Sequence, residues 1–599
     1  MSNNEIPDPT IAPSRYIEKV SLDTGEILNE EILPEQLLIH AHRDFHFMDF
    51  EVRRMMSRIV NDTGDPEKAR AAARRLRRRG YRFTHMLSRL IGEDRAERVS
   101  MTLFGLKHPD YYFRFKSLPV SDEEAEQRIQ ALRAKAVEQF SKAVDDTGKQ
   151  ALRVLLTGGT GFIGQEIIKM AADDEAIAEV VILIRPKKIF DRATKQVVGT
   201  ITPAERGAEL LVRLGLETPE QQAKFRFIAG DIEEPMLGVA ADEMATLQQT
   251  ITHLIHSAAS VSFDDTYEAT YHSNVTGTLN TLGFSLQLQN APNSPFVNHI
   301  GIETSYIHGR QMREPAREDA IIFPRNFYNN YYEVTKAIAS IETETHMLMK
   351  GLRVVQLCPA IVIGKLRNGN NGGDTKVVNA PINMFGRAHE NQGDKPSLLA
   401  RLSCAFPGDP IAQINLITVD WVVQGIMAAV HHPQAVGERI HLAADKRLTP
   451  KAMAQIFSDE LGIEIFFIEP TLFRNLLLPV FIRFLNLLKQ EKQANAIGKL
   501  ATLFGGYSEW DQPIHQVGND IRVLQLKEPR PDMEYAFRML CRHNNYVQRF
   551  GQIRDLGEIA KRERIWENFI DDLEKKTGRP AGEIPATEFR VEVDKLSFA

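Results

Sequence analysis

The segment YYEVTK places a phenol, Tyr332, and an ammonium, Lys336, four residues apart on a helical stretch, so both side chains leave one face. The spacing is common by chance, and alone it describes two surface side chains. Brought into one enclosed site the pair has a chemistry. A cation close to a phenol favours its ionised form, lowers its pKa and lets Tyr332 donate a proton near neutral pH.

A second stretch, LLTGGTGFIG at 155–164, has the spacing of an anion cradle. RVLLT reads as a strand and FIGQEIIKMAA as a helix, so the glycines occupy the turn between them. Gly158 permits a tight turn, Gly161 lets a pyrophosphate approach the backbone, and Gly164 lets the helix pack closely on the strand. The helix N-terminus offers its free N–H groups to the anion. Without these flanks the glycines would be a chance loop; with them they predict a dinucleotide-binding turn. The next strand, VVILIRPKK, ends in Arg185 with Lys187 and Lys188 beyond it, where an acid would suit a free ribose 2′-hydroxyl. A guanidinium suits a 2′-phosphate, so NADPH is expected over NADH, against a plain solvated basic loop. Asp231, after the third strand, is a turn residue or a partner for the adenine amino group.

These residues need a scaffold. Short apolar runs (RVLLT, VVILI, KFRFIAG, ITHLIHSA, FVNHI, LRVVQLCPA) alternate with helices from Arg153 onward, which predicts an α/β fold with a Rossmann-type, doubly wound parallel sheet. The length of 599 residues points to about three to four domain-sized units. The expected division is a helical N-terminal domain over 1–150, with 1–14 disordered, a dinucleotide-binding domain over 151–450 whose substrate-binding part starts near 366, and a mainly helical domain over 451–599. In the first of these, Ser121 and Glu124 form a capping box ahead of Ile129, Leu132, Ala136, Phe140 and Val144 at helical spacing. A net charge of −6 gives no reason to expect nucleic-acid binding. Cys358, Cys404 and Cys541 suggest neither disulfides nor a metal site, and the polar N-terminus has no apolar core, so a reducing cytoplasm is expected. His253, His256, His431 and His432 are not spaced as metal ligands.

The order of glycine turn, ETSYIHG, YYEVTK and LCPAIVIG resembles the extended short-chain dehydrogenase/reductase superfamily over about 152–450. GDIEEPMLG, HSAASVSFDD, NVTGT and INLITVDWVV narrow this resemblance to the fatty acyl-CoA reductases and thioester-reductase domains, with the YSEWDQ region similar more loosely. The resemblance implies that Gly158, Thr160, Gly161, Phe162, Ile163, Gly164, Arg185, Asp231, Ile232, Ala258, Asn274 and Lys336 line the cofactor. It implies that Thr304, five residues before Gly309, joins Tyr332 and Lys336 in catalysis, with Lys336 holding the nicotinamide ribose. Two departures stand out: Glu303 where the family usually has Ser, and Cys358 where Arg is common. The implied reaction is reduction of a long-chain acyl thioester, on coenzyme A or an acyl carrier protein, to aldehyde or on to alcohol. A sterol-like alcohol or ketone substrate is the nearest alternative, and a non-enzymatic NADPH sensor a more distant one.

Two further segments bear on partners. LFRNLLLPVFIRFLNLLK, 472–489, falls short of the roughly 20 clean apolar residues of a membrane span. It reads as a core helix pair over the pocket or as an interfacial helix making peripheral membrane contact. ARAAARRLRRRGYR sets Arg70, Arg74, Arg77 and Arg78 near one helical face, either solvated or a docking surface for an acidic carrier.

Overall fold

The computed structural model describes residues 13–21, 24–38, 111–116, 118–144, 151–191, 196–263, 265–309, 316–319, 328–373, 405–408, 412–462, 464–468, 478–487, 514–549 and 555–596, with residues 194, 410, 507, 512 and 553. The arginine-rich stretch with Arg70, Arg74, Arg77 and Arg78, residues 472–477 and 488–489, and Cys404 lie outside these residues.

At the centre is a seven-stranded parallel sheet. Its strands are β1 (Leu152–Thr157), β2 (Ile177–Ile184), β3 (Phe225–Ala229), β4 (His253–His256), β5 (Asn298–Ile302), β6 (Val354–Pro359) and β7 (Arg439–Leu442). They lie side by side in the order β7-β6-β5-β4-β1-β2-β3. Six coincide with the apolar runs of the sequence, which are continuous because helices cover both faces. The order reverses direction between β1 and β4, the place where such sheets open a crevice beyond the strand carboxyl ends. Register aligns those ends: Thr157 pairs with His256, His256 with Gly301, Ile302 with Leu357, and Pro359 with Leu442. The residues that follow β1, β4, β5 and β6 therefore meet at one edge.

The helices that serve this edge are α1 (Asp122–Ala143), α2 (Phe162–Asp173), α3 (Tyr331–Lys350) and α4 (Met533–Gln548). Ser121 caps α1 by accepting from Glu124 N at 3.2 Å, while Glu124 pairs with Arg128 at 2.5 Å. Leu132 and Ala136 are buried in the core of the sheet, and Ile129, Phe140 and Val144 pack against it. Arg133 adds a bond to Val436 O at 3.1 Å and a pair with Glu438 at 2.9 Å. The capping and spacing therefore serve a helix that leans on the sheet.

The helical reading of the N-terminal part did not include two strands. Ile17–Ser21 and Tyr111–Phe115 pair antiparallel. Tyr16, Ile17, Ile32, Leu37 and Phe113 share a core with Tyr267, Tyr271, Val334 and Ile338, so this small sheet buttresses the start of α3. Residues 13 and 14 belong to the 3₁₀ turn Pro13–Arg15. Among the described residues beyond β7 helices predominate, and α4 packs its Phe537, Leu540 and Cys541 beneath Ile363 and Leu416.

Candidate active site

The glycine turn follows from steric necessity. Gly158 has φ +76°, and a Cβ there would stand 2.6 Å from Ala258 N on the neighbouring strand end. At Gly164 a Cβ would lie 2.2 Å from Gly158 O, so the first turn of α2 sits directly on the loop. Gly161 is the N-cap of α2 with no side-chain cap, which leaves the first N–H groups of the helix to an external acceptor. The Thr160 carbonyl is taken by Gln165 Nε2 at 2.9 Å. A backbone cradle closed to any side chain, at an uncapped helix start, fits a dinucleotide pyrophosphate.

The turn opens onto a cleft of about 240 Å³. Gly161, Phe162, Ile163 and Gly164 line one side, and Thr304, Tyr332 and Lys336 the other. The structure thus brings the proposed catalytic residues to the glycine turn. Thr304 leaves the end of β5, donates to Pro359 O at 3.3 Å and shares a hydrogen bond with Tyr332. Asn330 caps α3 by accepting from Glu333 N at 3.0 Å, which aims the first two turns, with Tyr332 and Lys336, at the strand ends.

The remaining residues singled out in the sequence do not line the cleft. Arg185 is 63% exposed at its side chain and stands 3.6 Å from the Asp231 carboxylate, while Asp231 also accepts from Glu233 N at 3.1 Å as a turn residue does. Arg206 donates to the Arg185 carbonyl. Ile232 packs under Gly277 and its carbonyl accepts from Asn280 at 2.9 Å. Asn274, buried in a π-helical turn, clamps the Ser260 backbone through bonds of 2.8 and 3.1 Å and donates to Thr335 at 3.1 Å. It ties the segment after β4 to α3.

One expectation is corrected. Lys336 does not act on Tyr332 as an unopposed cation: its Nζ is 2.8 Å from Glu303 Oε2 and donates to Ile302 O at 2.8 Å, with both charged side chains at most 2% exposed. Burial first, then the negative charges of Glu303 and Glu333, hold the Tyr332 phenol above its ordinary range, with the Thr304 hydrogen bond pulling the other way. Burial also pushes the Glu303 carboxyl up, opposed by Lys336, and pushes up the thiol of Cys358.

Residues that the motifs did not pick out complete the cleft. Phe263 lies 5.6 Å from the Tyr332 ring and 5.8 Å from Tyr507, and Tyr306 meets Tyr507 edge-on at 5.6 Å. Tyr507 is fixed by donating to Glu333 at 2.7 Å, and its only sequence signal is its place in the YSEWDQ region. Behind Thr304, His515 bonds Ser305 O at 2.9 Å, His441 bonds Gln516 O at 2.7 Å, and His308 and His441 face each other at 3.0 Å. Since His441 Nδ1 must donate to a carbonyl, its Nε2 accepts and His308 Nε2 donates. Burial drives all three below their ordinary range, His441 to about 4, so the chain is neutral. Of the histidines considered as ligands, His256 bonds Thr157 at 2.9 Å and His431 bonds Asp174 at 2.7 Å. Among the described residues no His, Cys, Asp and Glu are grouped to hold a metal ion, and no helix is long and apolar enough to cross a membrane.

Comparison with known proteins agrees with this geometry. Residues 156–426 match the NAD-binding family described as Male sterility protein. The fatty acyl-CoA reductase wat of Drosophila melanogaster is 24% identical over 297 residues, 46% of this chain and 53% of that protein. Fatty acyl-CoA reductase 1 of Gallus gallus is 26% identical over 162 residues, 27% of this chain and 30% of that one. The chain thus spans about half the length of the first relative and under a third of the second. The terminal R domain of the myxalamid PKS-NRPS pathway shares the fold, with a TM-score of 0.51 at 18% identity over 70% of this chain and all of that one. Residues 156–426 thus resemble a male sterility-type NAD-binding domain, their sheet shares the fold of the myxalamid R domain, and fatty acyl-CoA reductases are similar to part of the chain.

Proposed function

We propose that the protein reduces long-chain fatty acyl thioesters, on coenzyme A or an acyl carrier protein, with NADPH. The observation that carries this reading is the single cleft in which an uncapped glycine turn faces Thr304, Tyr332 and Lys336 beside an apolar aromatic wall. The reductase relatives support it. Gly158, Thr160, Gly161, Phe162, Ile163 and Gly164 would hold the pyrophosphate, Arg185 the 2′-phosphate, Asp231 and Ile232 the adenine side, and Ala258 and Lys336 the nicotinamide riboside, with Asn274 acting on that end through the Ser260 backbone it clamps. When bound, the cofactor supplies hydride to the carbonyl carbon.

The chain's own residues do the rest. Tyr332 gives its proton to the substrate oxygen as charge develops there, and Thr304 hydrogen-bonds the same oxygen. Lys336, which donates to Ile302 O and is ion-paired with Glu303, would give a remaining N–H to a ribose hydroxyl in the cleft. The resulting hemithioacetal collapses to aldehyde and thiol; a second round at the same residues gives the alcohol.

The test mixes purified protein and NADPH with separate pools of acyl-CoA, acyl carrier protein thioester, aldehyde and ketone, following absorbance and products. Thioester consumption is expected; reduction of ketones alone would establish the sterol-like alternative. The arginine-rich stretch is the proposed docking face for the acidic carrier. Replacing Arg74, Arg77 and Arg78 by Ser should raise KM for a carrier-bound chain a few-fold at low salt and leave a free aldehyde unaffected. Equal KM values would make that helix a solvated face. Within 472–489, Leu478–Leu487 is helical with Val480 59% and Leu487 81% exposed, which supports an interfacial contact over a core role.

A further inference from the structure

Glu303 has no part in the reaction as proposed, yet it lines the cleft beside Thr304 and contacts the catalytic lysine. A carboxylate taken this far from water carries a large desolvation cost, offset only by a close partner. Here the partner is Lys336 at 2.8 Å. The charges around the phenol can be counted from every side. From β5 comes Glu303, and from α3 come Lys336 and Glu333, the latter bonded by Asn329 and Tyr507. From β6 comes the buried thiol of Cys358, and from β7 comes Arg439, which faces Glu303 and pairs with Glu344 at 3.1 Å. Two carboxylates thus oppose one ammonium next to Tyr332.

Resting on the reading of Tyr332 as proton donor, we propose that Glu303 is a positioning residue that cancels the charge of Lys336 and so keeps Tyr332 in its phenol form. Transfer of hydride and proton to a carbonyl requires the phenol; the reverse, oxidation of an alcohol, requires the phenolate to take the hydroxyl proton as hydride leaves for the oxidised cofactor. Lys336 alone would favour the phenolate. With Glu303 beside it, the ammonium keeps its grip on the ribose side of the cleft without drawing the proton off Tyr332. The site remains loaded for reduction far above neutral pH.

The test is an ultraviolet titration of phenolate in the full-length, cofactor-free protein, with Tyr332→Phe subtracted to isolate Tyr332. In the wild type Tyr332 should remain protonated until the other tyrosines ionise; ionisation near neutral pH overturns the proposal whatever the variants do. In Glu303→Gln its ionisation should move down by roughly one pH unit or more. The alkaline limb of the pH profile for aldehyde reduction should move down by the same amount. Glu303→Asp, which restores the anion, should return the titration toward the wild type. An unchanged titration in a folded Gln variant, checked by its melting temperature, also refutes the role. Because the titration needs no turnover, it stands even if no acyl thioester is reduced, and reduction with an unmoved titration leaves the functional reading intact while removing this one.

Discussion

The two ends of the cleft are built from different materials. At the nucleotide end the work is done by backbone: Gly158, Gly161 and Gly164 clear space, α2 presents its N–H groups, and Arg185 stays mostly in water. At the reaction end side chains do it, and Lys336, Glu303 and Thr304 are all but removed from solvent. The contrast teaches where each end is vulnerable. The nucleotide end is vulnerable to added bulk, and the reaction end to the loss of a single polar group.

The comparison can be broken most severely at the reaction end. Tyr332→Phe keeps the shape and should lower turnover by roughly 10² to 10⁴-fold, the usual contribution of a positioned acid, with nucleotide affinity unchanged. Lys336→Ala should damage both, because it also leaves Glu303 buried and unpaired. Turnover and nucleotide titration side by side check this, and near-normal rates in both variants would end the assignment. The converse experiment is Gly164→Ala, which adds one methyl group where only 2.2 Å is free before a backbone oxygen. It should abolish tight nucleotide binding and destabilise the fold by about 1–3 kcal/mol, read from denaturant melts. An alanine variant that binds normally would mean the turn is not the holder. The smallest effect belongs to the exposed cation: Arg185→Ala should weaken NADPH about 10- to 100-fold and leave NADH unaffected, since a charge-assisted bond contributes about 1.5–3 kcal/mol. Equal losses for both nucleotides would show that the residue does not read the 2′-phosphate.

The same contrast decides what was legible in the sequence. Six of the seven sheet strands announce themselves as apolar runs, and the glycine turn is read from spacing because backbone geometry restricts residue choice locally. β7 does not announce itself. Its Arg439 and His441 are polar residues buried by partners from distant segments, Glu344 and Gln516, so no local pattern betrays it. The strands Ile17–Ser21 and Tyr111–Phe115 are hidden for a related reason, each finding its partner far along the chain rather than across a short turn. Tyr332, Lys336 and Thr304 are legible as residues. Their electrostatics are not, because burial first and then the charge of Glu303, which follows β5 and lies beside Lys336 of α3, hold the phenol up where the sequence predicts it lowered. Tyr507 follows the same rule: an aromatic residue in a stretch with no periodicity becomes a wall only once Glu333 holds it.

The neutral histidine chain behind Thr304 has a temporal meaning. His308, His441 and His515 come from three well-separated stretches, and the last lies about 70 residues after the end of β7. During synthesis at about 5–20 residues per second, the sheet can be complete roughly 4 to 14 s before His515 and its neighbour Tyr507 have both been added. Through that interval the nascent chain would have its nucleotide cradle but neither the aromatic wall nor the brace for the Thr304 turn, so the ability to hold a nucleotide would be born before the ability to use it.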